Sequence, residues 1–215
     1  MNIARVGIFV SACCLSMVMS IGQVSAEESS ADFFQRSLSR LEELPGFQCR
    51  FEQRMLFADG SSQLYSGELA VRKPGMFRWQ YQQPYDQLYV GDGVVIWHYE
   101  PDLMQAEKLA DLESVDPVVM RLLDGQLSKK DISVVDYRFD AKNSLRRYLI
   151  ELAADSRVWL AFRQDGTLRY IERDDVLGNT NRMQFSDCAY VAPSRNLFSF
   201  SPPADVDVLD IRAKP

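Results

Sequence analysis

Residues 71–105 read VRKPGMFRWQYQQPYDQLYVGDGVVIWHYEPDLMQ, and this stretch decides the fold. Aromatic and β-branched residues recur at every second position between turns that contain Gly, Pro and Asp. This alternation is typical of consecutive antiparallel strands with one buried face. Phe77, Trp79 and Tyr81 would share one face of such a strand, and Arg78 would lie on the other. The stretch therefore predicts a curved sheet with an apolar surface.

The same alternation of apolar and polar residues extends over most of the chain. Further strands are predicted at 47–52, 65–71, 104–108, 133–139, 145–153, 158–163, 167–174, 181–189 and 197–201. Short turns separate them, and the sequence contains no internal repeat, low-complexity tract or linker. The pattern indicates one continuous domain of many antiparallel strands.

Two helical segments interrupt the strands. Ser30 can cap a helix over 31–44, and Asp116 and Pro117 can begin a second one. The apolar positions of these helices are Phe34, Leu38 and Leu41 in the first and Val118, Val119 and Leu122 in the second. Because so few helices cannot surround a sheet, both apolar faces should dock on one side of it. The predicted fold class is mainly β, a single curved antiparallel sheet covered by short helices that act as an α lid.

The N-terminus has the three parts of a secretory signal peptide. Arg5 precedes an apolar run over 6–19, and the small residues Val24-Ser25-Ala26 follow it. We expect a signal peptide over 1–26 and a domain over 27–215. The run is shorter than the ~20 residues that a membrane-spanning helix needs.

A lipid anchor is the alternative for this segment. Val10-Ser11-Ala12-Cys13 resembles a lipobox, which would make Cys13 an acylated N-terminus. The apolar run before Cys13 is short, however, and it continues beyond the cysteine, as in an ordinary signal peptide.

The charge pattern argues against nucleic acid as a partner. The formal net charge is −6, and no stripe dense in Lys and Arg is present. Nucleic acids and anionic membrane surfaces attract basic patches, so neither partner is expected.

Catalytic and metal-binding patterns are missing from the sequence. His98 is the single histidine and is interpreted as an exposed or sheet-edge residue. No Gly-x-Ser-x-Gly turn, phosphate-binding Gly-rich loop or metal-ligand spacing is present. We therefore expect neither an enzyme nor a resident cofactor or metal.

Two cysteines of the predicted exported domain are candidates for a disulfide. Of the four cysteines, Cys13 and Cys14 lie in the predicted signal peptide, which leaves Cys49 and Cys188. Paired thiols in an exported protein favour a disulfide. Cys188 has the opposite parity to Phe185, so a β-bulge would be needed to turn it inward.

Several motifs of the opening stretch occur together and in order. They are Lys73-Pro74-Gly75-Met76-Phe77-Arg78-Trp79, Pro84, Asp92-Gly93, Ile96-Trp97 and Tyr99-Glu100-Pro101-Asp102-Leu103. With these motifs the chain resembles the LolA family, the periplasmic carriers that ferry lipoproteins to the outer membrane of Gram-negative bacteria. The resemblance implies an unclosed β-barrel covered by a helical lid, in a protein expected to be monomeric.

The resemblance also implies a set of site residues. The acyl-chain cavity would be lined by Phe51, Leu69, Val71, Phe77, Trp79, Tyr81 and Trp97. Phe77 matches a position that receives cargo from the inner-membrane transporter. The two helices described above would form the lid of the cavity.

A latch between sheet and lid is expected at the Pro-Gly turn. The family usually has an arginine immediately before this proline, where it hydrogen-bonds the lid backbone. Here the position is Lys73, with Arg72 one residue earlier. Strand parity makes Lys73 the inward candidate, because it shares a face with Val71. A lysine ammonium should form a differently aimed latch than a planar guanidinium.

The implied partners are acylated lipoproteins, an inner-membrane ABC-type releasing complex and an outer-membrane receptor lipoprotein. Two alternatives share the fold. The chain could be that lipid-anchored receptor, which acylation of Cys13 would favour, or a lipoprotein-sensing regulatory domain, which usually carries a further domain.

Overall fold

A computed structural model of the chain describes residues 28–110, 122, 132–152 and 156–212. The predicted signal peptide, Val118 and Val119 lie outside these residues. The expectations for them therefore stay predictions.

The first helix, α1, spans Ser30–Glu43. Its N-cap is Ser29 rather than the predicted Ser30, and the Ser29 hydroxyl accepts a hydrogen bond from the backbone N–H of Asp32. That bond satisfies one of the first N–H groups, which have no partner inside a helix. Phe34, Leu38 and Leu41 face the sheet as their spacing predicted, and Phe33 is buried in the same core.

Within the described residues, twelve strands follow α1. They are β1 (Gly46–Leu56), β2 (Ser62–Arg72), β3 (Met76–Gln83), β4 (Gln87–Asp92), β5 (Ile96–Glu100), β6 (Gln105–Leu109), β7 (Ile132–Asp140), β8 (Leu145–Leu152), β9 (Ser156–Phe162), β10 (Leu168–Asp174), β11 (Thr180–Ala189) and β12 (Asp207–Asp210). The strands through β11 match the predicted ones to within a few residues at their ends.

All strands belong to one sheet, in the order β12-β6-β5-β4-β3-β2-β1-β11-β10-β9-β8-β7. β12 and β7 are the edges and do not pair with each other, so the sheet is not closed into a barrel. The predicted fold class, a curved sheet of many strands with a helix on one side, is confirmed. β1 pairs with β11 at the centre and joins the two halves.

The C-terminal part differs from the prediction. The strand expected at 197–201 is replaced by a 3-10 helix over Arg195–Phe198, and Phe198 is buried. The last strand, β12, pairs with β6 in parallel and is the exception to the antiparallel pattern.

The sheet has an apolar inner face that α1 covers. The main core is shared between the two, and its sheet residues come from β1–β3 and β8–β11. A second segment contributes Leu122, which is helical and buried in the same core. The candidate site is therefore this inner face and the residues packed on it.

Candidate functional site

The inner face is set by strand register. In β2 and β3, Leu69 pairs with Trp79 and Val71 pairs with Phe77. In β1, Phe51 lies on the same face, opposite Gly67. Because side chains alternate along each strand, register brings the predicted cavity residues of three strands together. Phe51, Leu69, Val71, Phe77 and Trp79 are buried, and Tyr81 is packed against them with partial exposure.

Aromatic rings form much of this surface. The Trp79 ring is stacked on Tyr81 with centroids 5.8 Å apart, and Phe51 meets Trp79 edge to face at 6.0 Å. The Phe77 ring lies directly over Gly91 of β4, where a Cβ would fall 2.5 Å from a ring carbon. Gly91 thus makes room for Phe77 on the sheet. The whole surface is suited to contact with hydrocarbon.

The second half of the sheet contributes residues that sequence reasoning missed. They are Tyr148, Ile150, Leu160, Phe162, Ile171, Met183 and Phe185, all in the core with α1. The Phe34 ring of α1 packs on Tyr148 with centroids 4.8 Å apart and on Phe162 at 6.2 Å. Alternation in β8 and β9 was the available signal, but it does not show which face meets the helix.

Polar contacts hold α1 at both ends. At the N-terminal end, the Tyr148 hydroxyl donates to the backbone oxygen of Ser30 at 2.8 Å. Burial raises the pKa of Tyr148 to about 12. Along the helix, Arg40 donates to the backbone oxygen of Asp165 at 2.8 Å.

Lys73 makes the contact at the C-terminal end. Its Nζ donates to the backbone oxygens of Leu41 at 2.6 Å and Glu42 at 3.1 Å. These carbonyls belong to the last turn of α1, which has no intrahelical donors for them and attracts cations. A side chain at the end of β2 thus binds the helix that covers the sheet. This is the position where the sequence predicted a latch.

Arg72 binds elsewhere. Its Nη1 donates to the backbone oxygen of Pro193 at 2.7 Å, in the segment after β11. Of the two predicted latch residues, Lys73 therefore contacts the helix.

Cys49 and Cys188 form a disulfide that joins β1 to β11. The register between these strands shifts between Gln48 and Arg50, and Asp187 has a positive φ of 50°. This is the bulge that parity required for Cys188 to face Cys49. The cystine lies beside a small apolar cavity of about 20 Å³ that Leu41 also lines.

Trp97 does not lie with the other predicted cavity residues. It pairs with Val90, which pairs with Arg78, so its side chain is on the outer face of the sheet. There its ring meets Phe200 at 5.8 Å, and Lys108 lies 5.1 Å from the ring centroid. The prediction that Trp97 lines the inner face is wrong, because the register puts it on the side of Val90 and Arg78.

His98 takes the inward side instead. The prediction of an exposed or sheet-edge histidine is wrong: β5 lies between β4 and β6, and the His98 side chain is 13% exposed and stacks on Tyr89 with centroids 4.2 Å apart. Its Nδ1 lies 3.4 Å from a Glu107 carboxylate oxygen. Burial raises the pKa of Tyr89, and the nearby carboxylates of Glu100 and Glu107 raise it further. The inner face is therefore polar along β4–β6, unlike its apolar centre.

A buried polar network at the end of β1 was also missed. The Tyr81 hydroxyl donates to Gln53 Oε1 at 2.9 Å, and Gln53 Nε2 donates to Asn181 Oδ1 at 3.0 Å. Gln53 continues the alternation of Phe47, Cys49 and Phe51, and a polar residue at an inward position was the signal in the sequence.

No helix within the described ranges has the length and apolar character needed to cross a membrane.

Comparison with known proteins identifies relatives. The family described as "Outer membrane lipoprotein carrier protein LolA" matches residues 42–201. A protein of Nitrosospira multiformis named outer-membrane lipoprotein carrier protein is 32% identical over 68% of this chain and 73% of its own. A Bordetella pertussis protein of the same name is 33% identical over 74% of this chain and 77% of its own.

The fold also recurs in a solved structure. The crystal structure of an uncharacterized conserved protein from Thermus thermophilus superimposes with a TM-score of 0.55. It covers 85% of this chain and 99% of the other, with 9% sequence identity. At that identity the likeness concerns the fold alone.

Proposed function

Since the chain belongs to the family of outer membrane lipoprotein carrier proteins, LolA, we propose that it carries acylated lipoproteins through the periplasm. The acyl chains bind to the inner face of the sheet, which α1 and Leu122 cover in the empty protein. The protein binds and releases its cargo without catalysing a reaction.

One observation carries this proposal: α1 covers an aromatic sheet face through apolar contacts, and hydrogen bonds tie both of its ends to the sheet. Phe34 and Leu38 of α1 are buried against the inner face, whereas Lys73 holds the last turn of the helix. Apolar contacts are not directional, so acyl chains can replace the helix on the same surface.

Energetics explain why a carrier needs a lid. Burying roughly 15 methylenes of one acyl chain is worth about 12 kcal/mol at ~0.8 kcal/mol each. Such a chain does not leave a membrane for water unaided. An open apolar cavity of several hundred cubic ångströms would cost on the order of 10 kcal/mol at ~24 cal/mol per Å³. That cost is comparable to the stability of a domain.

The lid lowers the cost of the empty cavity and also limits the affinity for acyl chains. When empty, the protein buries apolar residues of the inner face under its own helix, and this burial lowers the cost of an open apolar cavity. When loaded, it gives up that burial, and the loss offsets part of the gain from the acyl chains. The remaining affinity is moderate, so the cargo can be released.

The route of the cargo is part of the proposal. An ABC-type complex in the inner membrane releases lipoproteins to this carrier, and a receptor lipoprotein in the outer membrane receives them. The match to the family supports this route. The protein works as a monomer, because one inner face and its own helix complete the site.

The test uses inner-membrane vesicles that contain a labelled triacylated lipoprotein and the releasing complex. Protein comprising residues 27–215 is added with ATP, and soluble lipoprotein is measured after sedimentation. The protein should withdraw lipoprotein into solution, and a second incubation with receptor should remove it from the carrier. Failure to solubilise any lipoprotein would overturn the carrier assignment.

Matched variants identify the binding surface. Phe77→Glu puts a charge on the buried inner face, whereas Tyr85→Glu changes an exposed aromatic residue in the β3–β4 turn. The first variant should lose withdrawal and the second should keep it. Equal activity of both variants would contradict binding at the inner face.

A further inference from the structure

Hydrogen-bonding groups are embedded in the apolar inner face. A hydrocarbon chain can neither donate a hydrogen bond to them nor accept one from them. Trp79 is 1% exposed, and its indole Nε1 is buried without an acceptor among the described residues. Gln53 is also buried, at an inward position of β1. A buried donor without a partner destabilises the folded protein, because it has given up its hydrogen bonds to water. A surface that bound hydrocarbon alone would be better served by apolar residues.

These groups form one connected cluster. The Trp79 ring is stacked on Tyr81, the Tyr81 hydroxyl donates to Gln53, and Gln53 donates to Asn181. Tyr65 packs edge to face on Tyr81 with centroids 6.0 Å apart. An indole and a primary amide can donate hydrogen bonds to an additional acceptor, and a phenol can do so after rotation.

Gln53, Tyr81 and Asn181 of this cluster lie towards one end of the inner face, and Trp79 lies further in, at the level of Leu69. Along β1 the inward residues change from Phe47, Cys49 and Phe51 to Gln53. Gln53 pairs with Tyr65 on one side and with Met183 on the other. Lys73 and the end of α1 lie near the opposite end of β1, because Lys73 bonds the backbone of Pro45. Along β1 and its neighbours, the inner face is therefore apolar near the latch and polar at the far end.

An acylated cysteine also changes from apolar to polar along its length. Its chains are hydrocarbon, but ester and amide carbonyls join them to the glycerol and to the cysteine. Those carbonyls accept hydrogen bonds, and each loses water when the chains are buried. Donors placed where the apolar surface ends would replace that water.

We propose that Trp79, Gln53, Tyr81 and Asn181 form a carbonyl site, which binds the ester and amide carbonyls at the head of the acyl chains. The site rests on the proposed carrier function and deepens it. It sets how far the chains enter, and it lets the protein prefer acylated cysteine over plain hydrocarbon. It also assigns the end of the inner face away from Lys73 as the end where the cargo polypeptide emerges.

The experiment compares two synthetic lipids with chains of equal length. One is a diacylglyceryl cysteine with two palmitoyl ester chains, and the other is its dialkyl ether analogue, which lacks the carbonyls. Affinities are measured by displacement of a fluorescent apolar probe from the protein comprising residues 27–215. The wild type should prefer the ester about fivefold, the factor that one net hydrogen bond of roughly 1 kcal/mol gives.

Three variants locate the preference. Gln53→Leu and Trp79→Phe remove hydrogen-bonding groups and keep an apolar side chain, and each should bring the ester and ether affinities together. Gln48→Leu is the matched control, because Gln48 is an exposed glutamine on the outward side of the same strand. It should keep the preference.

The outcomes separate this site from the function on which it rests. Equal binding of ester and ether by the wild type would overturn the carbonyl site and leave acyl-chain binding standing. An equal loss of affinity for both lipids in Gln53→Leu and Trp79→Phe would assign the cluster a structural role and also overturn it. Binding of neither lipid by the wild type would overturn the carrier function and the site together.

Discussion

Lys73 Nζ donates a hydrogen bond to the backbone oxygen of Leu41 at 2.6 Å. The bond joins the end of β2 to the last turn of α1, and the side chain of Leu41 is itself packed in the core beneath the helix. Separation of α1 from the sheet therefore breaks a charge-assisted bond and exposes apolar surface at the same residue. The hydrogen bond from Lys73 and the burial of the Leu41 side chain together hold α1 against the sheet.

Loss of this bond should loosen the lid. Lys73→Met removes the ammonium and keeps a flexible apolar stem, so the free energy of unfolding should fall by about 1–2 kcal/mol. Acyl binding should become equal or tighter, and delivery to the receptor should suffer more than uptake. Denaturant unfolding and lipoprotein transfer measure the two effects.

The control for this prediction is Lys142→Met, which changes an exposed lysine in the β7–β8 turn and should alter neither quantity. A Lys73→Met protein with unchanged stability would show that the contact does not hold the closed form.

The disulfide should stabilise the centre of the sheet. Cys49 and Cys188 are separated by 139 residues along the chain, and closing a long loop restricts the unfolded state. Replacing both with alanine should lower the free energy of unfolding by about 2–5 kcal/mol. Thiol labelling of the denatured, unreduced protein should detect no free cysteine in the domain over 27–215, and two labelled thiols would contradict the bond.

Alkaline pH should weaken the contact between α1 and β8. Burial raises the pKa of Tyr148 to about 12, above the value of about 10 in an unfolded chain. Between these values the unfolded state releases the proton and the folded state keeps it, so this contribution is present below pH 10 and is lost as pH rises towards 12.

Melting temperatures of wild type and Tyr148→Phe between pH 9 and 12 test this effect. Tyr89 and Tyr170 also have raised pKa values, so the variant should remove only part of the decline. Identical slopes in the two proteins would rule out a role for Tyr148.

Cleavage after Ala26 should produce the exported protein. The charged, apolar and small-residue order of the first residues motivates this expectation. Intact mass of the protein from the periplasm should correspond to a chain that begins at Glu27. A diacylglyceryl mass on Cys13 would instead support the lipid-anchored receptor.

Alternation predicted most of the fold because a sheet with one buried face must repeat with period two. It placed Phe77, Trp79 and Tyr81 on one face of β3, and strand pairing brings Leu69 and Phe51 onto the same face. Parity within a strand is determined by geometry alone, so it could be followed from residue to residue.

Parity could not be carried across turns. The sides of Trp97 and His98 could not be derived from the sequence, because the side of a residue in β5 depends on its register with β4. The parallel pairing of β12 is a long-range contact between residues far apart in sequence, and no local pattern indicates it. Gln53 was a visible exception to the pattern. Its partner Asn181, however, lies on β11, which is far from β1 in sequence although it is next to it in the sheet.

In the proposed mechanism, the lid residues compete with the acyl chains of the cargo for the inner face. Leu38 of α1 is 1% exposed in the shared core, and Leu122 is 2% exposed there. Leu88 is 6% exposed but lies on the outer face, since it pairs with Gln80. The three leucines therefore offer matched truncations on the lid and away from it.

The decisive measurement pairs the free energy of unfolding with acyl affinity for Leu38→Ala, Leu122→Ala and Leu88→Ala. All three should lose about 2–5 kcal/mol of stability, as buried leucine truncations do. The two lid variants should bind a palmitoylated ligand as tightly as the wild type or more tightly, because less burial opposes the ligand. Leu88→Ala should bind unchanged. Weaker binding by the lid variants, or undiminished stability in them, would contradict competition between lid and cargo.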